Sequence, residues 1–230
     1  MNSGRFELIK GIETLCKNDK EAERLIAFRS KEIISLLERY INEIELFNSA
    51  YGLVGTVDTK ELVIRHILDS LAPAGKISCL LNEKSETITP QIADAGSGAG
   101  LPGIPLAIVM PKCNFTLIER MSRRAGFLLN TKAILGLPNI TVEEGELEKT
   151  QSGFFSLVTF RAFKTLEPKI LKTLSNACTK GGVIAAYKGK LEKIEQEMSP
   201  LEKSYSRREI IPYKVPFLDE ERNLLVIKLS

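Results

Sequence analysis

At 230 residues, the chain has room for one large α/β domain with an appendage. Its composition, 43% hydrophobic and 27% charged, is that of an ordinary soluble protein, and charge or proline interrupts each apolar stretch well before membrane-spanning length. A net charge of +3 permits an RNA partner without requiring one.

The N-terminus, Met1-Asn2-Ser3-Gly4-Arg5-Phe6-Glu7, has no secretory hydrophobic region. Cys16, Cys79, Cys113 and Cys178 are scattered with no C-x-x-C pair, which predicts reduced thiols in a cytoplasmic protein. A single histidine, His66, argues against a His-rich metal site.

Residues 1–82 read as a helical extension. Ile33, Leu36, Leu37, Tyr40, Ile41, Ile44 and Phe47 recur at helical spacing, with Ser30 as a plausible N-cap and Gly52 as the stop. A second helix is predicted after Asp58, capped by Thr59, carrying Leu62, Val63, Ile64, Ile67, Leu68 and Leu71 and ending near Pro73. Within it, Arg65 and Asp69 are spaced for an i, i+4 ion pair, and His66 is either a locally satisfied histidine or a functional one.

From about residue 88, strands and helices alternate, which predicts a mostly parallel sheet over 83–230. The first strand runs into Asp94-Ala95-Gly96-Ser97-Gly98-Ala99-Gly100-Leu101-Pro102-Gly103, with a helix from Ile104. Glycines there allow left-handed backbone and close approach to a ligand, and the helix N-terminus is expected to offer free N–H groups. Gly98-Ala99-Gly100-Leu101-Pro102-Gly103 satisfies the dinucleotide pattern literally, so an NAD-dependent oxidoreductase is one reading. Asp94 favours S-adenosylmethionine instead, because a carboxylate there can face a cation but would repel a pyrophosphate.

The second strand, Asn114–Glu119, ends in an acid 23 residues past Gly96, suited to accept two ribose hydroxyls. Arg120, Arg123 and Arg124 follow on a helix and could meet phosphates or form a solvated face. A third strand is predicted over Leu137–Val142, and the acidic loop after it could flank an adenine with Leu147. The fourth strand, Phe154–Phe160, delivers Arg161 to the crevice beside the glycine turn. A helix over about 165–178, a strand ending at Tyr187-Lys188-Gly189, a charged helix near 190–198 and strands around 206–215 and 222–229 complete the chain. A terminal hairpin makes one strand antiparallel to the others.

Asp-x-Gly-x-Gly-x-Gly resembles the first motif of class I methyltransferases. Over roughly residues 30–230 the chain resembles the bacterial 16S ribosomal RNA guanine-N7 methyltransferases, the glucose-inhibited division protein B family. The resemblance is carried by Ile64–Ser70, Asp94–Ala107, Arg161-Ala162-Phe163, Tyr187-Lys188-Gly189 and Glu221–Lys228. It implies a class I S-adenosylmethionine-dependent fold, Rossmann-like, with a mostly parallel seven-stranded sheet, helices on both faces and an N-terminal helical extension. It also implies a monomer acting on one guanine of 16S rRNA. The combined reading expects cofactor contacts at Asp94, Gly96, Gly98, Leu101, Glu119, Leu147, Glu148 and Arg161. RNA contacts are expected at Arg65, His66, Arg123, Arg124, Lys188 and Arg222. Arg161, Lys188 and Arg222 are the candidates for positioning guanine or phosphate, and neither a metal nor a membrane is expected. The chain departs from the family pattern at Asn48–Val54, Glu146 and Asn223. A non-catalytic rRNA-binding or ribosome-assembly protein retaining the fold is the second alternative.

Overall fold

The N-terminal segment builds a helical layer from one apolar stripe after another. The structure, a computed structural model, describes residues 4–82, 89–162, 165–205 and 207–229. Helix α1 (Arg5–Asn18) meets α2 (Lys20–Ile26) at Asp19, whose carboxylate accepts the Glu21 and Ala22 N–H groups. A 3-10 turn then feeds α3 (Ser30–Tyr51), so Ser30 is the first helical residue and not a cap. The predicted stripe is buried at Ile33, Leu37, Tyr40, Ile41 and Ile44, and Gly52 ends the helix at φ 58°.

The next helix also starts differently from expectation. Asp58, extended and accepting the Glu61 N–H at 2.7 Å, caps α4 (Thr59–Leu62); Thr59 is already helical. The helix then widens into a π-helix over Val63–Leu68 and closes as α5 (Asp69–Leu71) before α6 (Ala74–Asn82). A π turn bonds i to i+5, so i+4 no longer sits over i. The predicted Arg65–Asp69 pair is not made: Arg65 takes the carboxylate four residues before it, Glu61, together with Glu220, and Asp69 pairs with Arg161 and Arg222.

The sheet comprises β1 (Gln91–Ala95), β2 (Asn114–Glu119), β3 (Ile140–Glu144), β4 (Phe155–Arg161), β5 (Cys178–Lys188), β6 (Arg207–Tyr213) and β7 (Arg222–Lys228). Their order is β3-β2-β1-β4-β5-β7-β6. β7 runs antiparallel to both neighbours and the other pairings are parallel. The third strand begins later than predicted because Asn139 donates its amide to Ala107 O and Cys113 O, holding Leu137–Asn139 in a turn. The intervening helices are α7 (Gly103–Val109), α8 (Ser122–Leu135), α9 (Pro168–Ala177) and α10 (Leu191–Met198).

Strand alternation divides the core between two faces. Val183, Ala185 and Tyr187 face a cluster shared with α1–α8, whereas Ile184 and Ala186 face one shared with α9 and α10. The N-terminal helices and the sheet therefore share a continuous core. Its rear anchors at the site are Tyr40 and the π-helix.

Candidate active site

The sheet changes its direction of growth between β1 and β4, and the site lies at the carboxyl ends of these strands. Gly96 N and Ser97 N both donate to Ile118 O, at 2.9 and 3.0 Å, which ties the turn to β2. Gly96, Gly98 and Gly100 adopt φ of 69°, 58° and 91°, in the region that favours glycine. Gly103 is needed for closeness: a Cβ there would lie 2.4 Å from Leu117 Cδ2 and 2.6 Å from Asp94 Oδ2.

Asp94 organises this turn from beneath instead of facing a ligand with both oxygens. It is 1% exposed, and its Oδ2 accepts Ser97 Oγ at 2.5 Å and Gly103 N at 3.0 Å. Among the described residues none donates a hydrogen bond to its Oδ1. Burial pushes the carboxyl up to about 6, against the opposing pull of Ser97 and Gly103. The expectation of free N–H groups on α7 is also corrected. Gly103 N is taken by Asp94, Ile104 N by Gly100 O and Leu106 N by Pro102 O, and Pro105 has none. A dinucleotide pyrophosphate would need those donors, so the NAD reading fails on the geometry.

A pocket of about 230 Å³ opens beside the turn, lined by Gly96, Glu119, Leu147 and Glu148 among others. The buried Glu119 carboxylate accepts Gly98 N at 2.9 Å and Met121 N at 2.8 Å, spanning turn and strand end. Each of its oxygens keeps a further lone pair for a ribose hydroxyl. Leu147 supplies a buried apolar wall and Glu148 an exposed carboxylate. Leu101 and Gly98 are placed differently from expectation. The Leu101 side chain belongs to the main core, and the Gly98 N–H is committed to Glu119. Arg124 lines the same pocket and donates to Gly52 O at 2.8 Å, while Arg123 is exposed and lines neither space.

Ala162, at φ 50°, borders this pocket and also a larger cleft of about 1130 Å³. The left-handed conformation in a non-glycine residue marks the junction as strained. Phe163 of the quoted motif lies outside the described residues. The cleft gathers Arg65, His66, Arg161, Lys188 and Arg222. Arg161 thus lines the cleft and not the smaller pocket. Its guanidinium donates to Arg65 O at 3.0 Å, Asp69 Oδ2 at 3.2 Å and His66 Nδ1 at 2.9 Å. A guanidinium only donates, so His66 Nδ1 accepts and the ring proton sits on Nε2. Burial, with Arg161 and Arg65 nearby, lowers His66 to about 4. It lines the cleft as a neutral ring at pH 7.

Asp69 is the hub that residue spacing did not reveal. Beyond Arg161 it accepts the Tyr213 hydroxyl at 3.0 Å and meets Arg222 Nε at 3.5 Å. Tyr187 donates to Ser70 O at 2.8 Å, fixing the same segment to β5. Lys188 is clasped by both Glu197 oxygens, at 2.8 and 2.7 Å. Glu197, on the helix that follows the strand carrying Lys188, and Glu220, just before β7, lie close in the chain to a partner but carried no sequence signal. Tyr40 did carry one, since a tyrosine in an apolar stripe needs a partner for its hydroxyl; it donates to Ala99 O at 2.7 Å.

A mostly parallel sheet of this order, with an acid-led glycine turn at its switch point and an acid closing β2, defines a class I S-adenosylmethionine-dependent methyltransferase fold. A Methanococcus maripaludis protein described as an S-adenosyl-L-methionine-dependent methyltransferase matches with a TM-score of 0.57 at 14% identity, covering 83% of this chain and 92% of its own. Within the class, the chain belongs to the rRNA small subunit methyltransferase G family (GidB), whose model matches residues 33–226. Ribosomal RNA small subunit methyltransferase G of Treponema denticola is 38% identical, over 96% of this chain and 93% of its own. The Cellvibrio japonicus protein of the same name is 35% identical, over 97% and 94%.

Proposed function

We propose that this protein transfers a methyl group from S-adenosylmethionine to N7 of one guanine in 16S rRNA. The observation that carries the reading is the cation-lined cleft joined to the cofactor pocket at Ala162. Guanine N7 has an in-plane lone pair and no proton to lose, so the reaction needs no general base. The cleft fits that demand. His66, its one imidazole, has Nδ1 engaged by Arg161 and is poorly basic. Catalysis then rests on positioning and electrostatics.

When bound, the cofactor supplies an electrophilic sulfonium methyl. The residues present fit it: Glu119 for the ribose, Leu147 and Glu148 around the adenine, and Gly96 where the backbone must approach closely. The unpartnered Asp94 Oδ1 is a buried acceptor suited to the cationic amino-acid end. Lys188, Arg161 and Arg222 hold phosphates or guanine O6. Each is answered by a carboxylate, so positive charge is not concentrated where N7 becomes cationic. The same reading has the protein acting as a cytoplasmic monomer, with 1–82 an extension of the 83–230 catalytic domain. Among the described residues no helix is long and apolar enough to cross a membrane.

The test is transfer of labelled methyl to unmodified 16S rRNA, free and in 30S particles, followed by digestion and mass spectrometry. One N7-methylguanosine per 16S rRNA is expected. Label in another position, or no label on either substrate, overturns the assignment.

A further inference from the structure

We propose that Arg65 and Arg222 form a phosphate subsite at the rim of the cleft, and that Glu220 occupies it as an internal stand-in until RNA displaces it. The inference rests on the rRNA reading above and deepens it. Arg65 Nη2 meets Glu220 Oε1 at 2.6 Å, and Arg222 Nη2 meets Oε2 at 3.0 Å. Two guanidinium groups from the π-helix and β7 thus converge on one oxyanion, one for each oxygen. A phosphodiester presents the same feature, two equivalent anionic oxygens on one centre.

Both arginines are held from behind. Arg65 Nε is fixed by Glu61 at 3.0 Å. Arg222 Nε lies 3.5 Å from the buried Asp69, and its Nη1 donates to Glu221 O at 3.1 Å. The Arg222 anchors, a buried carboxylate and a backbone carbonyl, persist when Glu220 leaves and keep its Nη2 aimed at the vacated position; Arg65, whose Glu61 partner is 46% exposed, keeps a second cation within reach of it. Glu220 is the replaceable member: it lies in the connection between β6 and β7, and its side chain is 39% exposed. An exposed carboxylate is a weak lock, whereas a polyanion displaces it and releases counterions as well. The arrangement penalises RNA that cannot fill the subsite and so favours the cognate strand.

The experiment measures binding of full-length wild type and Glu220→Gln to an unmodified 16S rRNA transcript and to an unrelated RNA of equal length, across a salt series. E220Q is expected to bind both at least about fivefold tighter, with less discrimination and a log K against log [salt] slope steeper by about one. In an Arg65→Ala background the gain from E220Q is expected to vanish. Wild-type affinity and slope in E220Q, or an equal gain without Arg65, overturn the subsite and leave Glu220 a loop strut. Should E220Q fail to fold, Arg65→Ala alone decides: a slope shallower by about one supports the subsite, and an unchanged slope refutes it. Methyl transfer by the wild type to the same transcript is scored separately. Its absence rejects the rRNA reading, while transfer without the E220Q effect rejects the subsite alone.

Discussion

Buried Asp94 and half-buried His66 are ionisable groups whose shifts oppose each other. The fold raises Asp94 to about 6, so between its ordinary value near 4 and that point the native state binds the extra proton. Its contribution to stability therefore declines as pH rises through that window. The fold lowers His66 to about 4, so between there and 6.5 the unfolded chain binds the extra proton. Its contribution grows with pH. The two slopes nearly cancel in the wild type. Relative to wild type, Asp94→Asn should gain stability from pH 4 to 6 and His66→Gln should lose it, each by at most about 3 kcal/mol, in denaturant titrations at stepped pH. Parallel curves for the two variants would sink this account. Arg161 makes a separate residue-scale prediction, because it lines the cleft and not the smaller pocket beside the glycine turn. Arg161→Lys loses the forked contacts to His66 and Asp69, and kcat/KM for RNA should fall about tenfold or more while donor Kd moves less than about threefold. An equal loss in donor affinity, by calorimetry, would return Arg161 to the cofactor.

Helix α3 shows how an element couples a scaffold to a site. Its stripe was legible because amphipathic spacing needs no partner to be recognised. What it packs against was not legible. Tyr40 uses the stripe to reach the Ala99 carbonyl inside the glycine turn. Tyr40→Phe leaves that buried carbonyl unpaired and should cost about 1–3 kcal/mol in urea unfolding, with donor affinity reduced about threefold to tenfold. Full donor affinity in a destabilised variant would show that α3 supports the fold without tuning the turn. The π-helix over Val63–Leu68 illustrates the opposite case. Nothing in Arg65–Ser70 announces the wider turn, and of the carboxylates at i, i+4 spacing from Arg65 the structure pairs Glu61 and not Asp69. The wider turn leaves the Arg65 carbonyl for Arg161, and Asp69 meets the guanidinium groups of β4 and β7.

At the scale of the whole molecule, the helical segment and one face of the sheet share a core. Calorimetry should therefore give one transition, with equal calorimetric and van't Hoff enthalpies. Two transitions would make residues 1–82 a separate folding unit. Saturating S-adenosylmethionine, at about a hundred times Kd, should add about 2.7 kcal/mol to that single transition. By itself the sequence determined the alternation of strands and helices, the glycine turn between β1 and α7, and the acids that close β1 and β2. Those features are local: hydrophobic period, backbone freedom and short spacings express themselves without reference to the rest of the chain. Only the tertiary structure decided which charges meet. Asp69 finds Arg161 and Arg222, and Glu220 finds Arg65, across strand order and loop placement, and the burial that shifts Asp94 and His66 exists only once both layers have packed. Electrostatic pairing depends on distance and solvent exclusion, and neither is a property of neighbouring residues in a sequence.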